Sequence, residues 1–351
     1  MPPRAIRPTT ARLAVPTMPE RLLDRYDAVL SDLDGVVYAG RHAIPGAPEV
    51  LRRISAEGVP VIYVTNNASR SVATVAAHLT DLGVPTGPEG VASSAQAGAE
   101  LLAQRLPAGT KVLLTGSQAL ADVVADAGLV PVRTQEEEPR AVIQGFDPGI
   151  GWAQLAEASY TLADPDVLWV ATNTDLSIPQ ARGLAPGNGT LVAAVAAATG
   201  RVPVVAGKPE APIFRTAAER AGSARPMVVG DRLDTDIRGG NAAGFATVAV
   251  LTGVDTLETI LAACSAERPD HVVGTLEELL APCPEVEVIV APGGHAARCG
   301  AATAETDGVR VRIRGSRDDL DAWRAACGAW WAAHPDAEAP VAPVLEWEAA
   351  A

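Results

Sequence analysis

The sequence contains few lysines, cysteines and histidines. Only two of its 28 basic residues are lysines, Lys111 and Lys208, and its 351 residues include four cysteines and five histidines. The cysteines all lie in the last quarter, with neither a CxxC spacing nor histidines at zinc-ligand spacing. This argues against a zinc site and favours reduced thiols in the cytoplasm. A GxSxG motif is also absent, which argues against a serine hydrolase of the nucleophile-elbow class.

Excess positive charge and long apolar runs are missing as well. The net charge is -14, so a nucleic-acid partner is not expected, and an anionic ligand would have to be held by local positive groups. No apolar run approaches the length of a membrane span, so a membrane partner is not expected either. Residues 1–19 contain five prolines and three arginines but no apolar segment. They predict a disordered N-terminal segment rather than a signal peptide.

Four apolar segments of strand length end in polar clusters. In chain order, these are DLDG at 32–35 after the segment 28–30, TNN at 65–67 after 59–64, GKP at 207–209 after 202–205, and DRLDTD at 231–236 after 226–230. Parallel strands place their carboxyl ends along one edge of a sheet. The two acidic clusters, the hydroxyl-amide cluster and the cationic cluster are therefore predicted to converge on one crevice.

These motifs, in this order, resemble those of the haloacid dehalogenase (HAD) superfamily of phosphatases, over residues 21–282. The GDRLDTDI and TNN segments resemble the NagD-like branch, which includes phosphoglycolate, pyridoxal-phosphate and glycerol-phosphate phosphatases. The resemblance implies a phosphoric monoester hydrolase that uses Mg2+ and acts on a small phosphorylated metabolite. It also implies that a homodimer can form through the cap domain of this branch.

The alternation of strand-like and helix-like segments predicts an α/β protein. It indicates a doubly wound, Rossmann-like parallel-sheet core made of residues 20–97 and 200–283, with residues 98–199 inserted as a second α/β unit. In the family that the chain resembles, this insert is a C2-type cap, which closes over the active site and selects the substrate. Residues 284–351 lie outside the resemblance and predict a small additional α+β domain that supplies no chemistry.

The resemblance assigns the catalytic roles to the acidic motifs. Asp32 would be the nucleophile and would form an aspartyl-phosphate, which water attacks readily. Asp34 would protonate the leaving alkoxide and then deprotonate that water. Mg2+ would be bound by the Asp32 carboxylate, the Asp34 backbone carbonyl and Asp231, because oxygen ligands suit this hard cation.

The other motif residues are assigned to the phosphate. Thr65 and Asn66 would donate hydrogen bonds to its oxygens, and Lys208 would neutralise its charge. Asp236 and Asp234 would orient these groups. Both acidic residues also suit the first turn of a helix, so a capping role is the alternative for them.

The leaving alcohol is not encoded in these motifs, since they contact only phosphate. The expected contact residues in the cap are Asn173, Asp175 and Arg182. The loop 175–189 has no aromatic residue or histidine to stack on a ring, which disfavours pyridoxal phosphate and nucleotides. Glycerol 3-phosphate is the first choice of substrate and 2-phosphoglycolate the second. A non-catalytic binding or scaffold protein on the same fold is the other alternative, although such a protein would be expected to have lost Asp32, Asp34 or Lys208.

Overall fold

The computed structural model describes residues 20–180, 182–291 and 294–348. The segment 1–19, which the sequence predicts to be disordered, lies outside the described residues. Three large β-sheets and two short hairpins, with helices around them, make up the described part of the chain. Within it, no helix combines the length and the apolar character needed to cross a bilayer.

The strands and helices are numbered in chain order. The strands are β1 Ala28–Ser31, β2 Tyr38–Ala39, β3 His42–Ala43, β4 Val61–Thr65, β5 Val91–Ser93, β6 Lys111–Thr115, β7 Val130–Val132, β8 Ala141–Gln144, β9 Leu168–Ala171, β10 Ser177–Gln180, β11 Gly183–Pro186, β12 Val204–Val205, β13 Pro226–Gly230, β14 Ala246–Val250, β15 His271–Val273, β16 Val286–Ala291, β17 Gly294–Cys299, β18 Ala302–Thr306, β19 Arg310–Arg314 and β20 Val344–Glu348. The α-helices are α1 Ala47–Ala56, α2 Val72–Asp81, α3 Ser94–Ala103, α4 Gln118–Asp126, α5 Trp152–Thr161, α6 Asn188–Thr199, α7 Ala211–Ala221, α8 Arg238–Ala243, α9 Leu257–Ala262 and α10 Leu320–Ala333. Shorter 3-10 helices cover Leu22–Arg25, Pro88–Gly90, Gln135–Glu137, Ser265–Glu267 and Leu276–Leu280, and a π-helical turn covers Leu233–Ile237.

The core is a six-stranded sheet in the order β15-β14-β13-β1-β4-β5, and each neighbouring pair is parallel. Successive side chains of the central strand point to opposite faces. Val29 packs in the cluster that contains Leu51 of α1, whereas Leu30 packs in the cluster that contains Phe214 of α7. Both faces are covered by helices, so all four residues of the strand are buried and the first three are apolar. The predicted doubly wound α/β core is confirmed.

The insert forms a second parallel sheet in the order β12-β9-β8-β6-β7. Helix α4 packs on one face of this sheet, and α5 and α6 pack on the other. The loop 175–189 of the insert contains the hairpin of β10 and β11. The segment 202–205 was expected to end at the edge of the core sheet, but this expectation is wrong. Its two-residue strand β12 pairs with β9 of the insert, since the chain crosses back to the core only after Val205.

The C-terminal residues form the additional α+β unit that the sequence predicts. Its sheet has the order β16-β17-β18-β19-β20, antiparallel except for the last pair, and α10 packs across it. Trp323, Cys327 and Trp330 of α10 are buried in one cluster with residues of the core helix α9. Arg324 also donates to the carbonyl oxygen of Val272 in the edge strand β15, at 3.0 Å from its Nε. The unit thus covers one edge of the core sheet.

Candidate active site

Asp32 lies where β1 ends at the carboxyl edge of the core sheet. Its backbone N–H donates to the Val229 carbonyl of β13 at 2.8 Å, so the sheet itself fixes its position. The chain then turns at Gly35, which has a φ of +81° and donates to the Tyr38 carbonyl at 2.8 Å. Because of this turn, Asp34 is exposed in the cleft, whereas Asp32 is only 8% exposed.

The Lys208 ammonium lies between two buried carboxylates. It donates to Asp32 Oδ1 and, at 2.7 Å, to Asp236 Oδ1. Burial alone would lower the pKa of Lys208, but the charges of Asp236 and Asp32 outweigh it and raise this pKa, so the ammonium stays charged. Burial and the charge of Asp32 raise the pKa of Asp236, against the opposing effect of Lys208. The lysine therefore orients one oxygen of Asp32 and leaves the other free.

Asp231 follows β13 and offers an oxygen that nothing in the described structure satisfies. Its Oδ2 accepts the Val254 N–H at 2.8 Å, while its Oδ1 is buried without a hydrogen-bond partner. Carboxylate oxygens of Asp32, Asp231 and Asp236 all lie within 4.8 Å of one another. Two glycines surround this oxygen set: a Cβ on Gly35 or Gly253 would overlap Asp231 Oδ2. An orphaned oxygen in an all-oxygen donor set fits Mg2+.

The pKa values of two of these acidic residues are raised. Burial, followed by the charge of Asp32, raises the pKa of Asp231 to about 6. For Asp34, desolvation by the walls of the cleft and then the charge of Asp32 raise the pKa to about 6, even though its side chain opens to solvent. A carboxyl group with a pKa near neutrality can both donate and accept a proton, as general acid-base catalysis requires.

Thr65 ends β4 and Asn66 follows it, but the two residues differ in what they can offer a ligand. The Thr65 hydroxyl oxygen accepts the Asn67 N–H at 3.1 Å, which leaves its hydrogen available. The Asn66 side-chain oxygen accepts the Lys208 N–H at 2.8 Å. Its amide nitrogen donates to the Lys208 carbonyl at 3.1 Å and to the Asp175 carboxylate at 3.1 and 3.2 Å. The side-chain amide of Asn66 is therefore bonded within the protein, and donation from Asn66 to a phosphate oxygen stays a prediction.

Asp234 does not join the buried group of carboxylates. It lies on the surface of the π-helical turn and pairs with Arg232 at 2.8 Å. Asp236, two residues further on, points into the site because the wide turn brings its side chain against Gly230, where an added Cβ would overlap it. The structure thus brings Asp236 to Lys208, as predicted, and leaves Asp234 at the rim.

The three predicted cap residues lie at different depths. Asp175 contacts the core through Asn66, and burial raises its pKa, against the opposing charge of Lys208. Asn173 is buried and joins the cap to the core: its amide donates to the Asn66 carbonyl at 2.7 Å. Arg182 is exposed in the turn of the β10-β11 hairpin.

Sequence reasoning missed two arginines near the cleft. The positive charge of Arg70 opposes the rise in the pKa of Asp34, and that of Arg232 does the same for Asp175. Arg70 lies three residues after the TNN motif, and Arg232 is the second residue of the DRLDTD motif. However, arginine is the ordinary basic residue of this sequence, so no pattern distinguished them from surface charges.

Comparison with known proteins agrees with this geometry. Family models described as haloacid dehalogenase-like hydrolase and HAD-hydrolase-like match residues 29–130 and 205–279. The chain is 42% identical over 318 residues to D-glycerol 3-phosphate phosphatase from Mycobacterium tuberculosis, an alignment that covers 89% of this chain and 88% of that protein. The chain belongs to the haloacid dehalogenase-like hydrolases. The class predicted from the motifs, a phosphoric monoester hydrolase, is thereby confirmed.

Solved structures extend the similarity to the whole fold. The crystal structure of glycerol phosphate phosphatase from Mycobacterium tuberculosis in complex with calcium has a TM-score of 0.82 and 39% identity, and the match covers 93% of this chain and 95% of that one. The p-nitrophenyl phosphatase from Archaeoglobus fulgidus has a TM-score of 0.67 and 30% identity, covering 73% of this chain and 98% of that one. About a quarter of this HAD hydrolase thus has no counterpart in the archaeal phosphatase.

Proposed function

We propose that the protein hydrolyses glycerol 3-phosphate to glycerol and phosphate with Mg2+ as its cofactor. The observation that carries the proposal is the Lys208 ammonium bound to Asp32 beside the orphaned oxygen of Asp231. One buried pocket therefore holds a cation, an anchored nucleophile and an unused metal ligand. The name of the Mycobacterium tuberculosis relative supports glycerol 3-phosphate, and a structure of the glycerol phosphate phosphatase from that organism in complex with magnesium supports the metal.

Phosphate monoesters resist attack because their negative charge repels a nucleophile. The Lys208 ammonium and the free hydrogen of the Thr65 hydroxyl counter that charge. The Asp32 carboxylate, the Asp34 carbonyl and Asp231 would hold Mg2+, which when bound withdraws further charge from the phosphate oxygens. All of these groups are fixed before the substrate arrives, so little reorganisation is needed during the reaction.

The chemistry then uses the two aspartates of the first motif. The free oxygen of Asp32 attacks phosphorus, the bond from phosphorus to the glycerol oxygen breaks, and Asp34 donates its proton to that oxygen. Asp34 next takes a proton from water as the water oxygen attacks the aspartyl-phosphate, which releases phosphate and restores Asp32. The raised pKa of Asp34 suits both proton transfers.

The cap would select the alcohol. Asp175 is the cap carboxylate closest to the catalytic groups in the hydrogen-bond network, and as an acceptor it suits a polyol better than a second anion. This favours glycerol 3-phosphate over 2-phosphoglycolate. We also infer a cytoplasmic location, which the four free cysteines support, while a homodimer through the cap stays a prediction.

The test is phosphate release from glycerol 3-phosphate, 2-phosphoglycolate and pyridoxal 5'-phosphate, with Mg2+ and with excess EDTA. We expect the highest kcat/KM for glycerol 3-phosphate and loss of activity in EDTA. Preference for 2-phosphoglycolate would contradict the substrate. No release from any monoester by folded, Mg2+-loaded protein would contradict the function.

A further inference from the structure

We propose that Asn66 is a positioning residue that sets Lys208 against Asp32 and, with the same side chain, fixes the cap to the core. The inference rests on the proposed phosphatase function and deepens it. It replaces the role that the motif suggested for this side chain, which was to donate to the phosphate.

The Asn66 side chain binds Lys208 in the way that a neighbouring strand would. Its oxygen accepts the Lys208 N–H at 2.8 Å and its nitrogen donates to the Lys208 carbonyl at 3.1 Å. These two bonds fix the peptide orientation of the residue whose ammonium reaches Asp32. The approach is so close that a Cβ on Gly207 would come within 2.6 Å of Asn66 Oδ1.

The Asn66 side-chain amide has too few hydrogens to bond its present partners and a phosphate oxygen as well. A side-chain amide has two donor hydrogens. One is used by the Lys208 carbonyl and the other by the Asp175 carboxylate. No hydrogen of the Asn66 side chain is left for a phosphate oxygen unless one of these bonds breaks.

The backbone of Asn66 is held from both the core and the cap. Its carbonyl accepts the Ser94 hydroxyl at 2.8 Å and the Asn173 amide at 2.7 Å. The carbonyl of Asn173 in turn accepts the amide of Asn188, at the start of α6, at 2.7 Å. A chain of three asparagines therefore runs from a helix of the cap to the backbone of Lys208, and Asn66 is its last member.

This arrangement predicts how a change at Asn66 acts. Loss of the amide frees the Lys208 peptide, so the ammonium no longer meets Asp32 in one geometry, and misplacement by about 1 Å can cost about 100-fold in rate. The lower rate of the Asn66 variant results from a misplaced Lys208 ammonium. The same change at Asn66 should therefore have little effect on the rate when Lys208 is replaced. A direct phosphate donor would instead cost the same with or without the lysine.

A double-mutant cycle separates these cases. Asn66→Ala is measured alone and with Lys208→Met, using p-nitrophenyl phosphate because its good leaving group keeps slow variants measurable. We expect Asn66→Ala to lower kcat about 30- to 100-fold alone. In the Lys208→Met background we expect less than about a 3-fold loss, with the inhibition constant of inorganic phosphate within about 2-fold.

Equal losses in both backgrounds, or a raised phosphate inhibition constant without the lysine, would overturn the proposal. Asn66→Ser, which is uncharged and too short to make the same bonds, is the second variant if Asn66→Ala does not fold, and it should show the same dependence on Lys208. Asn241→Ala is the matched control. It removes core amide bonds to the carbonyls of Ala266 and Arg268, so its effect should not depend on Lys208. If the wild type is active but the effect of Asn66→Ala does not depend on Lys208, only the positioning role is contradicted. An inactive wild type would contradict the proposed function.

Discussion

The core and the cap each end their parallel strands in polar residues, but the two edges differ in charge. At the core edge the buried charged group consists of Lys208 bound to Asp32 and Asp236, and among the fully buried side-chain atoms of this edge in the described structure only Asp231 Oδ1 lacks a hydrogen-bond partner. The fully buried residues at the cap edge are neutral, and several of their side-chain atoms have no hydrogen-bond partner in the described structure, namely atoms of Thr115, Gln144, Thr172 and Asn188. The same strand-end geometry therefore gives one edge that can do chemistry and one that cannot, because function depends on the site and not on the fold.

The segments at the cap edge are connected by hydrogen bonds to a backbone carbonyl. The Gln144 carbonyl accepts the Thr172 N–H at 2.8 Å and lies 3.4 Å from the Asn188 amide. Its side-chain amide adds nothing to this connection. The comparison therefore predicts large effects for changes at the charged edge and small ones for side-chain changes at the neutral edge.

The largest effect is expected for Asp32→Asn. The amide has nearly the same shape but is not a nucleophile, so phosphate release should fall by at least about 1,000-fold. Lys208 still has Asp236 as a partner, so the fold should persist, which a thermal unfolding scan can check. Asp81→Asn, the same change at the end of α2, is the control. Turnover near the wild-type rate would show that the charged edge does not supply the nucleophile.

Lys208→Met should cause the largest loss of stability. It leaves two buried carboxylates without their cation, and breaking such a group typically costs about 3 kcal/mol. Urea unfolding in EDTA measures the change. Lys111→Met is the matched control, since Lys111 is exposed and its ammonium donates only to the Glu137 carbonyl. A loss below about 1 kcal/mol for Lys208→Met would show that the buried pairs are not what holds this edge together.

Gly253→Ala should weaken Mg2+ binding. The new methyl group would overlap Asp231 Oδ2, so the carboxylate must move, and we expect about a 10-fold loss of Mg2+ affinity by calorimetric titration, comparable to losses at groups that orient metal ligands. Gly151→Ala before α5 is the control, because a Cβ there meets only Gln154 at 3.6 Å. Unchanged affinity would place the metal away from Asp231.

Local sequence patterns predicted the catalytic edge well. Asp32, Asp231 and Asp236 converge as the strand-end argument requires. Patterns missed β17 and β18, because these strands are rich in alanine and form through pairing with neighbours rather than through β propensity.

The hydrogen-bond partners of Asn66 could not be predicted from the sequence either. They lie 109 and 142 residues further along the chain, in Asp175 and Lys208, and a short motif carries no information on such distances. The same applies to β12, whose pairing with the cap sheet depends on where the chain crosses back to the core.

The smallest effect is expected for Gln144→Met at the neutral edge. A buried amide without partners costs about 1 to 3 kcal/mol, so an apolar side chain of similar size should leave the free energy of unfolding unchanged or raise it by about 1 kcal/mol. The backbone bonds of Gln144 persist, so kcat/KM should stay within about 2-fold. Asn188→Ala is the contrasting variant, since it removes the bond to the Asn173 carbonyl and should lower stability by about 1 kcal/mol. If Gln144→Met instead destabilises the protein by more than about 2 kcal/mol, its amide must be satisfied by buried water, and the cap edge would then be as fully bonded as the core edge.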